Sequence, residues 1–244
     1  MAALSPAAAR SGTARFAGAV RAGLAAIEGF ILPQCCPGCG APAEAPRLLC
    51  DACWERVPRL DGPLCVRCLA RECDPSACGS HPGFGAWAAH LYDERLACAV
   101  KSFKFEGRVG LADVLGEALA NALPMDYRPD LVLEVPLHTT RLRERGYNQA
   151  ARLADVLALR AGAPRWTGAL RRVRPTAPQA GLSARDRRRN LDGAFAAVRP
   201  EALRGREVLI VDDVLTTGST LEACLAVLKD CGARASGAAL AWAA

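Results

Sequence analysis

The residues best suited to chemistry lie late in the chain, directly after a run of branched apolar residues. The run Val208-Leu-Ile-Val211 leads into two adjacent carboxylates, Asp212 and Asp213, and then into five small residues, Thr216, Thr217, Gly218, Ser219 and Thr220. Backbone N–H groups and hydroxyls at the start of a helix bind phosphate. A nucleoside triphosphate loop would need Gly-Lys-Ser/Thr here, and no lysine is present. Two neighbouring carboxylates suit a vicinal diol, so the segment predicts a ribose 5-phosphate site. An ordinary strand-to-helix junction explains the hydroxyls but not the paired acids.

Cysteines form the second group of residues with chemical potential. Nine of the twelve lie between positions 35 and 78, and eight of these stand in pairs: Cys36, Cys39, Cys50, Cys53, Cys65, Cys68, Cys73 and Cys78. Two Cys-x-x-Cys turns place four thiolates around a tetrahedral Zn²⁺ with Zn–S bonds of about 2.3 Å. The pattern predicts one or two zinc ions, with Cys35 as an alternative to Cys36 and His81 in competition for the last position. A closed site with four protein ligands stabilises the fold and performs no reaction.

Alternating strands and helices have to position the late acidic pair. Apolar runs predict buried strands at 131–135, 208–211 and 237–242. Apolar periodicity predicts helices at 111–122, 148–161 and 218–231. This order is typical of an α/β fold in which helices cover both faces of a parallel sheet, and ligands bind at the carboxyl ends of its strands. We therefore predict three parts: an amphipathic segment at 1–32, a Cys-rich ribbon at 33–85 and an α/β domain at 86–244.

Arginine supplies most of the positive charge. Of 31 basic residues only Lys101, Lys104 and Lys229 are lysine, and the stretch 131–207 holds 16 arginines against 7 acidic residues. Arginine binds phosphate through two parallel hydrogen bonds, so this stretch suits a polyanion, although a solvated surface has the same composition. No uncharged apolar stretch reaches the roughly 18 residues that a spanning helix needs. The first 30 residues also lack a secretory signal, so we expect no membrane span and a cytoplasmic protein.

Several segments in combination resemble one known family. The acidic pair and the loop after it look like the phosphoribosyl pyrophosphate (PRPP) motif of type I phosphoribosyltransferases. The pyrophosphate-side loop of the ComF family is similar to Glu134-Val-Pro-Leu-His138 followed by Arg141-Leu-Arg-Glu-Arg-Gly-Tyr-Asn-Gln149. The segments 101–108 and 176–190 and the Cys-rich ribbon resemble that family too. The resemblance implies a type I phosphoribosyltransferase-like twisted parallel sheet, preceded by a small double zinc ribbon.

The resemblance also implies roles for individual residues. Asp212 and Asp213 would hold the ribose hydroxyls, and 216–220 would bind the 5-phosphate. The pyrophosphate and Mg²⁺ would meet main-chain groups in the turn of Pro136, Leu137 and His138. Further donors would come from three nearby arginines, Arg141, Arg143 and Arg145. Thr139 and Thr140 stand where relatives often carry a proline after the histidine, so the turn departs from the family pattern there.

Three functions fit these features. The first is a phosphoribosyltransferase that binds PRPP and Mg²⁺ and releases pyrophosphate to an unassigned acceptor. The second is a largely non-catalytic PRPP-binding protein that handles single-stranded DNA, in line with the family's association with DNA uptake in natural transformation. The third is a DNA- or protein-binding module in which the zinc ribbon and the arginine-rich loop recruit a partner, such as another DNA-uptake protein, and the nucleotide-binding fold is a relic. The intact acidic pair and phosphate loop favour the first two.

Overall fold

A five-stranded, mostly parallel sheet forms the centre of the protein. The computed structural model describes residues 34–36, 39–43, 49–69, 78, 80–174 and 183–243; the predicted amphipathic segment 1–32 lies outside them. The strands are β1 (Gln34–Cys35), β2 (Pro42–Ala43), β3 (Pro63–Cys65), β4 (Gly85–Leu91), β5 (Leu131–Glu134), β6 (Leu170–Arg172), β7 (Phe195–Ala197), β8 (Glu207–Leu215) and β9 (Arg234–Trp242). The helices are α1 (Asp51–Glu55), α2 (Glu94–Phe105), α3 (Leu111–Ala120), α4 (Thr139–Arg145), α5 (Gln149–Ala161), α6 (Ala184–Leu191) and α7 (Ser219–Asp230).

The order of strands in the sheet is β3-β4-β9-β8-β5. Strands β4, β9, β8 and β5 run parallel, and β3 pairs antiparallel with β4 at the edge. The predicted strands at 131–135, 208–211 and 237–242 are confirmed, and the fold is the α/β sheet that the alternating pattern predicts. No helix within the described ranges has the length and apolar character needed to cross a membrane.

Strand β8 is longer than its apolar run. The sequence predicts that the two aspartates follow the strand, but β8 continues to Leu215, so Asp212 and Asp213 belong to it. Pairing with β9 explains the extension, because the ladder runs on through Asp212↔Ala239 to Leu215↔Trp242. The acids therefore have strand geometry and are held by a neighbouring strand.

Apolar helix faces cover both sides of the sheet. Leu209 and Val211 lie in one buried cluster with residues of α3 and α5, while Val208 and Ile210 lie in another with residues of α7. This division follows from the two-residue period of a strand, which sends successive side chains to opposite faces. Helices covering both faces leave the carboxyl ends of the strands as the edge at which a ligand can bind.

The helices begin and end close to the predicted positions. Asn148 caps α5, because its Oδ1 accepts a hydrogen bond from Ala150 N at 3.0 Å, and α5 ends at Gly162 in the left-handed conformation. Helices α3 and α7 likewise confirm the predictions at 111–122 and 218–231 to within two residues.

The Cys-rich region contributes directly to the central sheet. Strand β3 lies within the predicted ribbon, yet it pairs with β4 through Pro63↔Trp87 and Cys65↔Gly85. Two small sheets, β1-β2 and β6-β7, stand apart from the main one. The second half of the ribbon is therefore joined to the α/β domain by backbone hydrogen bonds.

Candidate functional site

Asp212 and Asp213 lie near the carboxyl end of β8, in the middle of the sheet's parallel part. The backbone N–H of Asp213 donates to Asp212 Oδ1 at 2.8 Å. From α2, Lys104 Nζ lies 2.8 Å from Asp213 Oδ1, and both side chains are largely buried. The two acids therefore differ: Asp213 has a cationic partner, and Asp212 accepts from a backbone N–H.

Asp212 has a strongly raised pKa. Burial raises its pKa to about 7, and the negative charge of Asp213 adds to the rise. The N–H of Asp213 and the charges of Lys104 and Arg145 lower that pKa and so limit the rise. A cation or a hydroxyl donor that approaches this carboxyl group stabilises its ionised form and so lowers its pKa. The carboxylate oxygens of the pair suit Mg²⁺, which prefers oxygen ligands, and they can equally accept hydrogen bonds from sugar hydroxyls.

The five small residues form the connection from β8 into α7. Gly218 has a φ of +73°, in the left-handed region that favours glycine. The Oγ1 of Thr217 and the Oγ of Ser219 lie 2.9 Å apart, and Ser219 is buried as the first residue of α7. The first N–H groups of an α-helix have no acceptor within the helix, so the start of this twelve-residue helix gives the loop the character of an anion site.

The turn after β5 lies beside the acidic pair. Val135 N donates to Val211 O at 2.9 Å, which aligns the start of the turn with the residue before Asp212. Asn148 Nδ2 donates to Val135 O at 3.0 Å and fixes the turn from α5. Pro136, Leu137 and His138 follow, all half-buried. The Nδ1 of His138 accepts a hydrogen bond from Thr140 N at 3.3 Å, so this histidine caps α4.

The three predicted arginines of this loop differ in their surroundings. Arg145 donates to Gln149 Oε1 at 3.0 Å, its guanidinium lies over the Phe105 ring, and its charge acts on Asp212. Its Nε is buried and has no hydrogen-bond partner within the described part of the chain. Arg141 and Arg143 are exposed on α4. Arg145 is therefore the member of this set that the fold brings to the acidic pair.

Two groups of metal-binding side chains lie in the Cys-rich region. The first contains Cys36, Cys39, Cys50 and Cys53, and the second contains Cys65, Cys68, Cys78 and His81. Within each group the ligand atoms lie within 4.8 Å of one another, close to the ~3.8 Å edge of a tetrahedron with Zn–S bonds of ~2.3 Å. Burial and the neighbouring thiols raise the pKa of Cys53 to about 12, so this thiol keeps its proton unless a cation replaces it. Both groups fit zinc. Cys73, predicted as a ligand, lies outside the described residues.

Comparison with known proteins agrees with this architecture. The sequence profile of the phosphoribosyl transferase domain matches residues 143–244. Competence protein F of Haemophilus influenzae is 37% identical over 199 residues, which cover 75% of this chain and 85% of that protein. This chain belongs to the ComF family. DNA utilization protein YhgH of Salmonella typhimurium is 34% identical over 192 residues, covering 76% of this chain and 74% of the relative.

Lys104 is a site residue that the sequence analysis of this ComF chain did not single out. It lies in the family-like segment 101–108, but no motif there separates it from Lys101. Helical spacing was the available signal: Val100 and Phe103 are buried, while Lys101 is exposed and Lys104 is half-buried. Its ionic partner Asp213 lies on the last third of β8, so the pairing depends on how α2 packs against the sheet.

The second metal group yields a direct prediction about this ComF chain. We expect the wild-type protein to hold two zinc ions and His81→Ala to hold one, because His81 Nδ1 lies 3.9 and 3.8 Å from the Sγ atoms of Cys65 and Cys78. Cys73→Ser is the matched variant and is expected to retain two. Native mass spectrometry counts the ions. A loss of one zinc in Cys73→Ser, with two kept in His81→Ala, would make Cys73 the fourth ligand.

Proposed function

We propose that this ComF-family protein binds PRPP together with Mg²⁺ at the carboxyl edge of its sheet. The observation that carries the proposal is the unequal acidic pair, Asp212 and Asp213, with the hydroxyl-rich loop on one side and the turn after β5 on the other. Such a site matches PRPP in three places, because PRPP has a vicinal diol, a 5-phosphate and a pyrophosphate. The names of the relatives add a role in competence and DNA utilisation.

Each part of the site has a separate task in this proposal. The carboxylates of Asp212 and Asp213 accept hydrogen bonds from the ribose hydroxyls. The backbone N–H groups and hydroxyls of 216–220 bind the 5-phosphate. The turn at 136–138 and the guanidinium of Arg145 face the pyrophosphate, for which a planar pair of donors is well suited. Mg²⁺ bound with PRPP supplies positive charge against the pyrophosphate. Lys104 holds the Asp213 side chain in place through their ion pair.

A thermal-stability titration tests the proposal. PRPP with Mg²⁺, at one hundred times its Kd, is expected to stabilise the protein by about 2.7 kcal/mol and to raise Tm by roughly 5–10 °C. Ribose 5-phosphate alone and pyrophosphate alone each fill part of the site, so they should give smaller shifts. Arg145→Ala should weaken the PRPP response, whereas Arg160→Ala, on an exposed arginine of α5 paired with Glu117, should leave it unchanged. Equal responses to PRPP and to an unrelated polyphosphate would contradict the proposal.

Binding of single-stranded DNA is a second candidate function, and the charge distribution favours it. The stretch 131–207 has nine more arginines than acidic residues, and Arg141, Arg143, Arg188 and Arg189 are exposed. Neutralising phosphates releases counterions, so affinity should fall steeply as salt rises. Arg141→Ala and Arg143→Ala should each reduce the magnitude of the negative slope of log K against log salt by about 0.7. Fluorescence anisotropy with a labelled oligonucleotide measures this slope, and a salt-independent signal would exclude the function. We place this activity, together with partners from DNA uptake, in the cytoplasm, where paired thiols remain reduced.

A further inference from the structure

The metal-binding turn of the second group lies directly against the phosphate loop. Cys65 and Cys68 enclose Val66 and Arg67, and the hydrogen bond from Leu69 N to Cys65 O, 2.7 Å long, closes this turn, which we term the knuckle. Val66 is fully buried. A Cβ atom placed on Gly218 would lie only 2.2 Å from the carbonyl oxygen of Val66. The backbone of the knuckle is therefore one wall of the loop at 216–218.

A buried carboxylate provides a second link between the same two parts. Arg67 Nε donates to Glu222 Oε1 at 2.8 Å, and the Glu222 side chain is only 14% exposed. Glu222 lies in the first turn of α7, and its own backbone N–H donates to Gly218 O at 2.8 Å. The guanidinium of Arg67 also lies 3.8 Å above the centre of the Phe84 ring. Arg67 is thus fixed on two sides, and it holds the first turn of α7 through Glu222.

Helix α6 contacts the same glutamate. Arg188 Nε donates to the other carboxylate oxygen, Glu222 Oε2, at 2.9 Å, and Arg188 Nη2 donates to Arg67 O at 2.8 Å. The preceding residue of the same helix reaches the loop itself, since Arg187 Nη1 lies 3.5 Å from Thr216 Oγ1. Both oxygens of Glu222 are therefore used, one by the knuckle and one by α6.

We propose that the second metal group is a positioning element of the phosphate loop, and that a metal ion there and PRPP in the loop stabilise each other. The inference rests on the proposed PRPP site. Metal ligation fixes the turn that carries Val66 and Arg67, and these two residues set the backbone of 216–218 and the first turn of α7. Coupling between two sites is reciprocal, so PRPP raises the affinity for the metal by the same factor by which the metal raises the affinity for PRPP. Arg67 and Glu222 are positioning residues in this scheme, because they act on PRPP through the loop.

The first test measures the coupling within the folded protein, with no ligand added. Amide hydrogen exchange is compared between wild type and Arg67→Ala, with Arg234→Ala as the control, because Arg234 forms a more exposed arginine–glutamate pair with Glu207 at the other end of β8 from the loop. We expect exchange at 216–222 to rise about tenfold in Arg67→Ala and to stay unchanged in the control. Arg67→Lys, which keeps the charge, should recover part of the protection. Unchanged exchange at 216–222 in Arg67→Ala would overturn the inference.

The second test measures reciprocity with PRPP. Zinc-loaded protein is treated with a chelator and an alkylating reagent, and mass spectrometry follows each cysteine separately. PRPP with Mg²⁺ is expected to slow alkylation of Cys68 and Cys78 about tenfold and to leave Cys39 and Cys50 unchanged. Equal protection of both groups would mean general stabilisation and would overturn the coupling. If PRPP does not bind, the cysteines of both metal groups react as they do without ligand, and Tm does not shift. The proposed function then fails. The hydrogen-exchange result of the first test still decides whether the knuckle positions the loop.

Discussion

Asp212→Asn is expected to raise the Tm of the unliganded protein at pH 8 and to abolish its stabilisation by PRPP and Mg²⁺. The folded-state pKa of this acid is about 7, against an ordinary value of 3.8. Between these two values the folded protein holds a proton that the unfolded chain has lost, so the contribution of Asp212 to stability falls as pH rises through this window. Above pH 7 the cost of ionisation approaches its full value, on the order of 4 kcal/mol. An amide avoids that cost, and Tm should rise by roughly 5 °C or more.

The neighbouring acid provides the matched control. Asp213→Asn removes the direct ionic partner of Lys104, whose side chain is only 19% exposed. We expect this variant to lower Tm while also losing the PRPP response. Differential scanning fluorimetry from pH 4 to pH 8 separates the removed ionisation cost at Asp212 from the lost ion pair at Asp213. The gain in Asp212→Asn should be small near pH 4 and complete above pH 7. A gain that does not vary with pH would contradict the ionisation argument.

Gly218→Ala should be among the most damaging single substitutions in the protein. The residue combines a φ of +73° with the 2.2 Å approach of the Val66 carbonyl oxygen to its Cβ position. A backbone atom cannot rotate away as a side chain can, so the loop or the knuckle has to move. We expect a loss of about 3 kcal/mol or more in the free energy of unfolding, together with loss of PRPP binding.

Gly162→Ala separates the effect of the positive φ from the effect of the close backbone contact. Gly162 has a φ of +65° as the residue that ends α5, and nothing lies within 4 Å of its Cβ position. This variant meets only the backbone strain, about 1 kcal/mol, and should retain PRPP binding. Urea unfolding of both variants, compared with wild type, measures the difference. If Gly218→Ala costs no more than Gly162→Ala, the knuckle does not form a wall of the loop.

The amino-acid sequence predicts the elements of this fold well because their signals are local. Branched apolar runs identify β5 and β8, and Asn148 and Gly162 show where α5 begins and ends. The extension of β8 to Leu215 is not local, since it depends on pairing with the apolar end of β9. A strand can continue through polar residues where its neighbour supplies the hydrogen bonds, and no pattern within 212–215 reveals this.

The candidate site likewise contains some residues with a local signal in the sequence and others that only tertiary packing brings together. The acidic pair and the hydroxyl residues are adjacent in the chain, so their types and order predict that they act together. Lys104, Arg67 and Glu222 reach the site through tertiary packing; the last two are 155 positions apart. The metal ligands show a further limit of spacing alone, because His81 and Cys73 both suit the fourth position and only the fold brings His81 beside Cys65 and Cys78.

A crystal structure of the protein with PRPP and Mg²⁺ tests the central proposal most directly. We expect ribose hydroxyls within hydrogen-bond distance of the Asp212 and Asp213 carboxylates, and the 5-phosphate enclosed by the backbone of 216–220. We also expect the pyrophosphate beside the turn at 136–138, with the Arg145 guanidinium in contact. PRPP density elsewhere on the protein, with the carboxylates of the acidic pair directed away from any ligand, would contradict the proposal.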